Sequence, residues 1–234
     1  NTKNRLRFMT RQIVDALAPS NFAATNPEFI KIALETKGES ITAGIKNLIA
    51  DIEKGRISMT DDAAFEVGRN LAVTPGAVVF ENELMQLIQY APTTEKVAQV
   101  PLVIVPPCIN KFYILDLQAE NSFVRYAVAQ GITVFLLSWR NPKADFGHLT
   151  WDDYLEQGAL KALAVASNIC GVKQVNALGF CVGGTLLTSA LAVARARGED
   201  PVASLTLLTT LLDFSDPGEL GYFIDEAAVA SRET

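Results

Sequence analysis

Apolar residues over the first fifty positions recur at helical spacing. Leu6, Met9, Ile13 and Leu17 share one face and stop before Pro19, which predicts a short amphipathic helix whose basic side (Lys3, Arg5, Arg7, Arg11) faces water. Asn26 followed by Pro27 reads as the cap and first position of a second helix. Ile30, Leu34, Ile41, Ile45, Leu48 and Ile52 run down that helix to Gly55. If Gly38 leaves it unbroken, it spans about 40 Å at roughly 1.5 Å per residue. Residues 61–75 read as a short helix and a turn closing at Thr74-Pro75-Gly76.

The period then changes. Residues 77–81 and 84–90 are the first strand candidates. From residue 101, short apolar runs at 102–105, 132–137, 175–180 and 205–211 alternate with amphipathic stretches. Helices are expected over 120–130, 152–169 and 182–197, the middle one capped by Thr150 with Asp153 three residues on. Such alternation predicts an α/β fold, a parallel sheet covered by helices. No internal repeat or low-complexity segment interrupts it.

The chain has 234 residues, 49% of them apolar, enough for one sizeable core and a smaller appendage. A net charge of −6 argues against nucleic acid as a partner, because duplex affinity comes from Lys and Arg neutralising phosphates. Cys108, Cys170 and Cys181 are odd in number and show no paired spacing, which fits a reducing compartment without a structural disulfide or metal site. The basic start has no long apolar stretch behind it, so neither a signal peptide nor a membrane span is expected, and the chain reads as cytoplasmic.

Gly179-Phe180-Cys181-Val182-Gly183 carries the chemistry. It follows an apolar strand and precedes a helix rich in small residues, the setting of a nucleophile elbow, in which glycines let strand and helix approach closely. Cys181 is the expected nucleophile, and the helix N-terminus beneath it favours the thiolate. The bland alternative is an inert Cys in a dinucleotide-binding turn, but the G-x-G-x-x-G spacing is absent. An oxyanion hole would take one N–H from Val182 and one from the loop after 102–105. Pro106 and Pro107 lack N–H groups, so Cys108 supplies the first amide there, its thiol a bystander. A second catalytic thiol at Cys108 is the sharper alternative.

A base is harder to find. His148, the one histidine, precedes the elbow, whereas hydrolase elbows run nucleophile, acid, His along the chain. It reads as a loop residue, with the true base expected beyond residue 234. Asp213 is a weak alternative acid after the strand at 205–211, and otherwise a turn residue beside Asp216-Pro217-Gly218.

Four blocks resemble polyhydroxyalkanoate synthases. They are Pro106 through Leu117 (PPCINKFYILDL), Ser138-Trp139-Arg140-Asn141-Pro142 with Thr150-Trp151-Asp152-Asp153-Tyr154, Gly179 through Gly184, and Leu207 through Phe214. The helical front end resembles the short-chain, single-subunit class. The resemblance implies polymerisation of (R)-3-hydroxyacyl-coenzyme A into polyester, with Cys181 carrying the acyl chain and coenzyme A released. No cofactor is implied, coenzyme A being part of the substrate. Implied partners are the polyester granule surface, a second copy of the chain and granule-associated proteins. The family's catalytic His and Asp match no position here. Arg140 and Lys111, each following a strand, are candidates for the coenzyme A phosphates. The expected organisation is a helical domain at 1–75, the first part of an α/β-hydrolase catalytic domain at 76–215, incomplete in this chain, and the start of a cap segment at 216–234. Two other readings stay open: a cysteine-type hydrolase of the thioesterase or dienelactone kind, and a non-catalytic granule-binding or dimerising piece.

Overall fold

A computed structural model describes residues 2–61, 63–224 and 226–233. Contacts divide the chain into two units, Asn1–Asp62 with Asp213–Thr234, and Ala63–Leu212.

The first unit is helical. Helix α1 covers Thr2–Ala16, and its Phe8 packs against Tyr222 and Phe223 at ring separations of 5.3 and 5.1 Å. Helix α2 (Pro27–Glu35) begins as expected, Asn26 Oδ1 accepting the N–H groups of Glu28 and Phe29 at 2.9 and 3.0 Å. The long second helix does not form. Lys37 and Gly38 adopt left-handed backbone at φ 50° and 89°, and Gly38 N–H turns back to the Ala33 carbonyl at 2.8 Å, a glycine stop after which α3 (Glu39–Lys54) starts afresh. Leu6, Ile13, Ile45, Leu48 and Ile52 on these helices are exposed.

Gly44 sits inside α3 with nothing within 4 Å of where a Cβ would lie. Gly44→Ala is therefore expected to stabilise this unit by about 0.5–1 kcal/mol, the helix-propensity difference, read from a raised unfolding midpoint.

The second unit is a six-stranded sheet ordered β1-β2-β4-β3-β5-β6. Its strands are β1 (Gly76–Glu81), β2 (Met85–Tyr90), β3 (Leu102–Val105), β4 (Val134–Trp139), β5 (Val175–Phe180) and β6 (Val202–Leu208). β2 pairs antiparallel with both neighbours, and β4, β3, β5 and β6 run parallel. β1 and β2 each start one residue from the expected position, and two strands lie further from their expected bounds. β4 reaches Trp139 because Met85 of β2 pairs with it, and β6 is set three residues earlier by its pairing with β5 from Val175–Val202 to Phe180–Leu208.

Alternation along the central strands buries both faces of the sheet. Val103, Val105, Phe135, Leu137 and Trp139 face one side, and Ile104, Val134, Leu136 and Leu178 the other. The second side is covered by α4 (Phe123–Ala129), through Val124, Ala127 and Val128. This helix starts later than expected, because Ala119–Asn121 forms a 3-10 turn and Ser122 is the cap. The first side is covered by a run beginning as α5 (Trp151–Asp153), widening into a π-helix over Tyr154–Leu160 and continuing as α6 (Lys161–Cys170), together with α7 (Val182–Ala196). The Thr150–Asp153 capping box forms as predicted.

The helix expected within 61–75 is absent over the described residues there, residue 62 lying outside them. Tertiary bonds claim this segment: Thr74 Oγ1 donates to the buried Asp116 carboxylate at 2.6 Å and Ala72 N–H to the Asp116 carbonyl at 3.0 Å.

Candidate active site

Cys181 occupies the single residue between β5 and α7, with φ 54° and ψ −127°. That backbone is unfavourable for any residue with a Cβ and marks stored strain held in place by its surroundings. Cys181 N–H donates to the Leu208 carbonyl at 2.9 Å, while its own carbonyl accepts from Gly184 N–H at 2.9 Å. Three glycines permit the turn by close approach. A Cβ on Gly179 would strike Gly184 Cα, one on Gly184 would enter the Thr210 side chain, and one on Gly183 would lie 2.6 Å from the carbonyl carbon and oxygen of Pro106. The turn thereby lifts a partly exposed thiol onto the carboxyl edge of the sheet, at the N-terminus of α7.

The loop after β3 arrives at the same edge. Val105 pairs with Gly179, and the contact of Gly183 with Pro106 sets this loop directly against the elbow. Among the described residues, no backbone carbonyl accepts from the N–H of Val182 or Cys108, the two amides expected to face an oxyanion. Cys108 packs its side chain against the core, where burial pushes the thiol up, away from its reactive form. Burial does the same to the Cys170 thiol.

One link was not anticipated. The buried indole N–H of Trp139, at the end of β4, donates to the Pro106 carbonyl at 2.8 Å. Its ring packs on Gly158 of the π-helix, where a Cβ would come within 2.6 Å, and lies 5.6 Å from the ring of Tyr154. The available signal was a tryptophan ending an apolar run, since a buried indole N–H needs an acceptor.

Lys111 and Arg140 line one cleft of about 530 Å³ with Glu81, Asn82, Gln86 and Asn141. Lys111 Nζ donates to Asn141 Oδ1 at 2.8 Å. Arg140 is held more firmly, 3.9 Å from the Asp145 carboxylate, stacked 4.9 Å over Phe146 and donating to the Glu83 carbonyl at 3.4 Å. His148 is exposed, Nδ1 lying 2.8 Å from the Asp145 carbonyl in the 3-10 turn Ala144–His148. Asp213 is exposed in a turn of its own, accepting Ser215 N–H at 2.9 Å, and this bond holds its carboxyl below the usual range.

Comparison with known proteins agrees with this architecture. The profile described as "Poly-beta-hydroxybutyrate polymerase (PhaC) N-terminus" matches residues 1–127, and the alpha/beta hydrolase fold profile matches 101–232. The chain belongs to the PhaC polymerase family. It is 59% identical over 232 residues to the poly(3-hydroxyalkanoate) polymerase subunit PhaC of Cupriavidus necator, covering 99% of this chain and 39% of that one. It is 45% identical over 237 residues to the poly(3-hydroxyalkanoate) polymerase of Methylorubrum extorquens, again with 39% of the relative covered. The chain thus spans about two fifths of the length of these family members. The expected α/β-hydrolase fold is met by the hydrolase profile, the mixed sheet and the helical front end. Among the described residues no helix is long and apolar enough to cross a membrane.

Proposed function

We propose that this chain carries the nucleophile and oxyanion half of a polyester polymerase site that acts on (R)-3-hydroxyacyl-coenzyme A. The strained Cys181 backbone at the strand-to-helix turn, in a chain of this family, is the observation that carries the reading. The Cys181 thiolate attacks the thioester carbonyl carbon, and the N–H groups of Val182 and Cys108 receive the negative oxygen. Collapse breaks the carbon–sulfur bond to coenzyme A, which leaves as a thiolate and takes up a proton. The terminal hydroxyl of a growing chain then attacks the Cys181 acyl group, its proton passing to a base, and the Cys181 thiolate departs. Thioester exchange is nearly balanced in energy, and a thiolate leaves more easily than an alkoxide. The base and its acid partner are assigned to the longer sequence of full-length family members, outside the span matched here. The reaction needs no cofactor beyond the coenzyme A of its substrate, and it takes place in the cell interior at the polyester surface. The exposed apolar faces of α1 and α3 are assigned to association with that surface, with granule-associated proteins or with a second copy.

Mixing the full-length polymerase with one equivalent of (R)-3-hydroxybutyryl-coenzyme A and mapping the acylated peptide tests the proposal. Stoichiometric coenzyme A release with the acyl mass on Cys181 is expected, followed by insoluble polymer on adding excess substrate. Label elsewhere would refute the role of Cys181, and soluble hydroxyacid as the only product would make the enzyme a hydrolase.

The cleft beside Arg140 and Lys111 is assigned to the coenzyme A phosphates. Lys111 has a neutral hydrogen-bond partner and Arg140 is already engaged by Asp145, so Lys111 contributes more. Lys111→Ala is expected to raise KM about threefold with kcat unchanged, the scale of one exposed charge contact. Steady-state kinetics reads the split.

A further inference from the structure

We infer that Trp139 is a positioning residue for the oxyanion donor at Cys108, an inference that rests on the proposed acyl-transfer site. The reasoning follows the backbone from Trp139 to that N–H. The Trp139 indole fixes the carbonyl of Pro106 at 2.8 Å, and Gly183 closes on the same carbonyl from the elbow. This carbonyl lies in the plane of the Pro106–Pro107 peptide. The Pro107 ring locks the next dihedral, φ, so only its ψ separates that plane from the peptide carrying Cys108 N–H. The remaining freedom is taken at the far side, where the Pro107 carbonyl accepts from Asn110 N–H at 3.3 Å. In a trans peptide the Pro107 carbonyl and the Cys108 N–H point in opposite directions, so anchoring one aims the other.

The anchor is itself seated. Trp139 is 9% exposed, and its ring rests on Gly158, where any side chain would overlap it. Helix windings of the π type recur at functional sites, and here the wide turn brings Gly158 and Tyr154 to the ring. Cys108 and Tyr154 are close enough for the thiol's charge to add to burial in pushing the Tyr154 hydroxyl up. The indole therefore links the helical layer to the loop and keeps a donor pre-oriented before substrate arrives, which is how oxyanion holes act.

The test removes the N–H, once with a smaller ring and once with the ring's shape kept. In the full-length polymerase, Trp139→Phe is compared with site-specific replacement of Trp139 by the benzothienyl analogue, which has the indole's shape with sulfur in place of N–H. Three quantities are read: kcat, KM, and the rate at which iodoacetamide alkylates Cys181, a displacement at a saturated carbon that develops no oxyanion. Both replacements are expected to lower kcat at least about tenfold while KM and the alkylation rate stay within about twofold. Unchanged kcat in the benzothienyl variant would overturn the inference. A parallel loss of alkylation and kcat in that variant would also overturn it, because Trp139 would then hold up the elbow as a whole. Acylation mapped away from Cys181 in the unaltered enzyme would instead strike the reading on which it rests.

Discussion

Cys181→Ala in the full-length polymerase is expected to lower coenzyme A release at least about 10⁴-fold, the scale seen when a nucleophile is deleted from a catalytic unit. Folding should be unaffected. Alanine keeps the Cβ and with it the strain of φ 54° and ψ −127°, and the bonds to Leu208 and Gly184 are made by backbone. Cys181→Gly separates strain from chemistry. Glycine takes up positive φ readily, so it should relieve part of the roughly 1–3 kcal/mol stored there, less the roughly 0.5–1 kcal/mol its freer unfolded chain costs. The glycine variant should be as inactive as the alanine variant yet about 1 kcal/mol more stable, seen as a melting temperature higher by a few degrees. Equal melting temperatures would show that the strain relieved is no larger than the roughly 0.5–1 kcal/mol that glycine costs, and surviving turnover in either variant would remove Cys181 from the reaction.

Gly183→Ala should be among the most damaging single methyl groups in the sheet unit. Its Cβ would meet the carbonyl oxygen of Val105 and lie 2.6 Å from the carbonyl carbon and oxygen of Pro106. These are backbone atoms, so no rotamer change can relieve the overlap. Either α7 or the loop after β3 must shift, at a cost of about 3 kcal/mol, the upper part of the usual range for overpacking. Because that loop also carries the Cys108 N–H, a displacement approaching 1 Å should lower acyl transfer about 100-fold. Chemical denaturation with single-turnover kinetics measures both. The contrast with the stabilising Gly44→Ala isolates the cause, since the two substitutions add the same atom.

The features legible in sequence were those fixed by local chemistry. Asn26-Pro27 gave a helix start that the structure keeps, Thr150 and Asp153 gave their capping box, and the runs at 102–105 and 175–180 are strands with those bounds. The elbow was legible because a tight strand-to-helix turn needs small residues at fixed offsets, and Gly179 and Gly183 stood there. Most of what failed depended on partners distant in the chain. Nothing local to residues 61–75 announces that Asp116 will take their hydrogen bonds. The apolar run at 205–211 could pair in more than one register, and β5 selected 202–208, which leaves Leu211 outside the strand. Gly38 was visible as a breaker, but its effect depended on whether the backbone took the left-handed conformation. Trp139 lay in plain view, yet its acceptor is a carbonyl 33 residues upstream.

The π-helix at Tyr154–Leu160 bears on how this segment tolerates changes of length. Each residue added to or removed from a helix rotates everything on one side of the change by about 100° relative to the other. Leu155, Gly158 and Ala159 face inward across the wide turn, and Ala162, Leu163 and Ala166 continue that face in α6. Deleting the exposed Glu156 would let the segment rewind as ordinary α-helix, and because the wide turn holds one residue more than an α-helix needs there, Tyr154 and the Thr150–Asp153 cap would stay nearly in phase with α6. Single deletions should therefore be accepted in the exposed loop from Asn141 to Lys143 and at Glu156 in the wide turn but rejected within α6, where no surplus residue absorbs the rotation, a boundary that a library of single-codon deletions would trace.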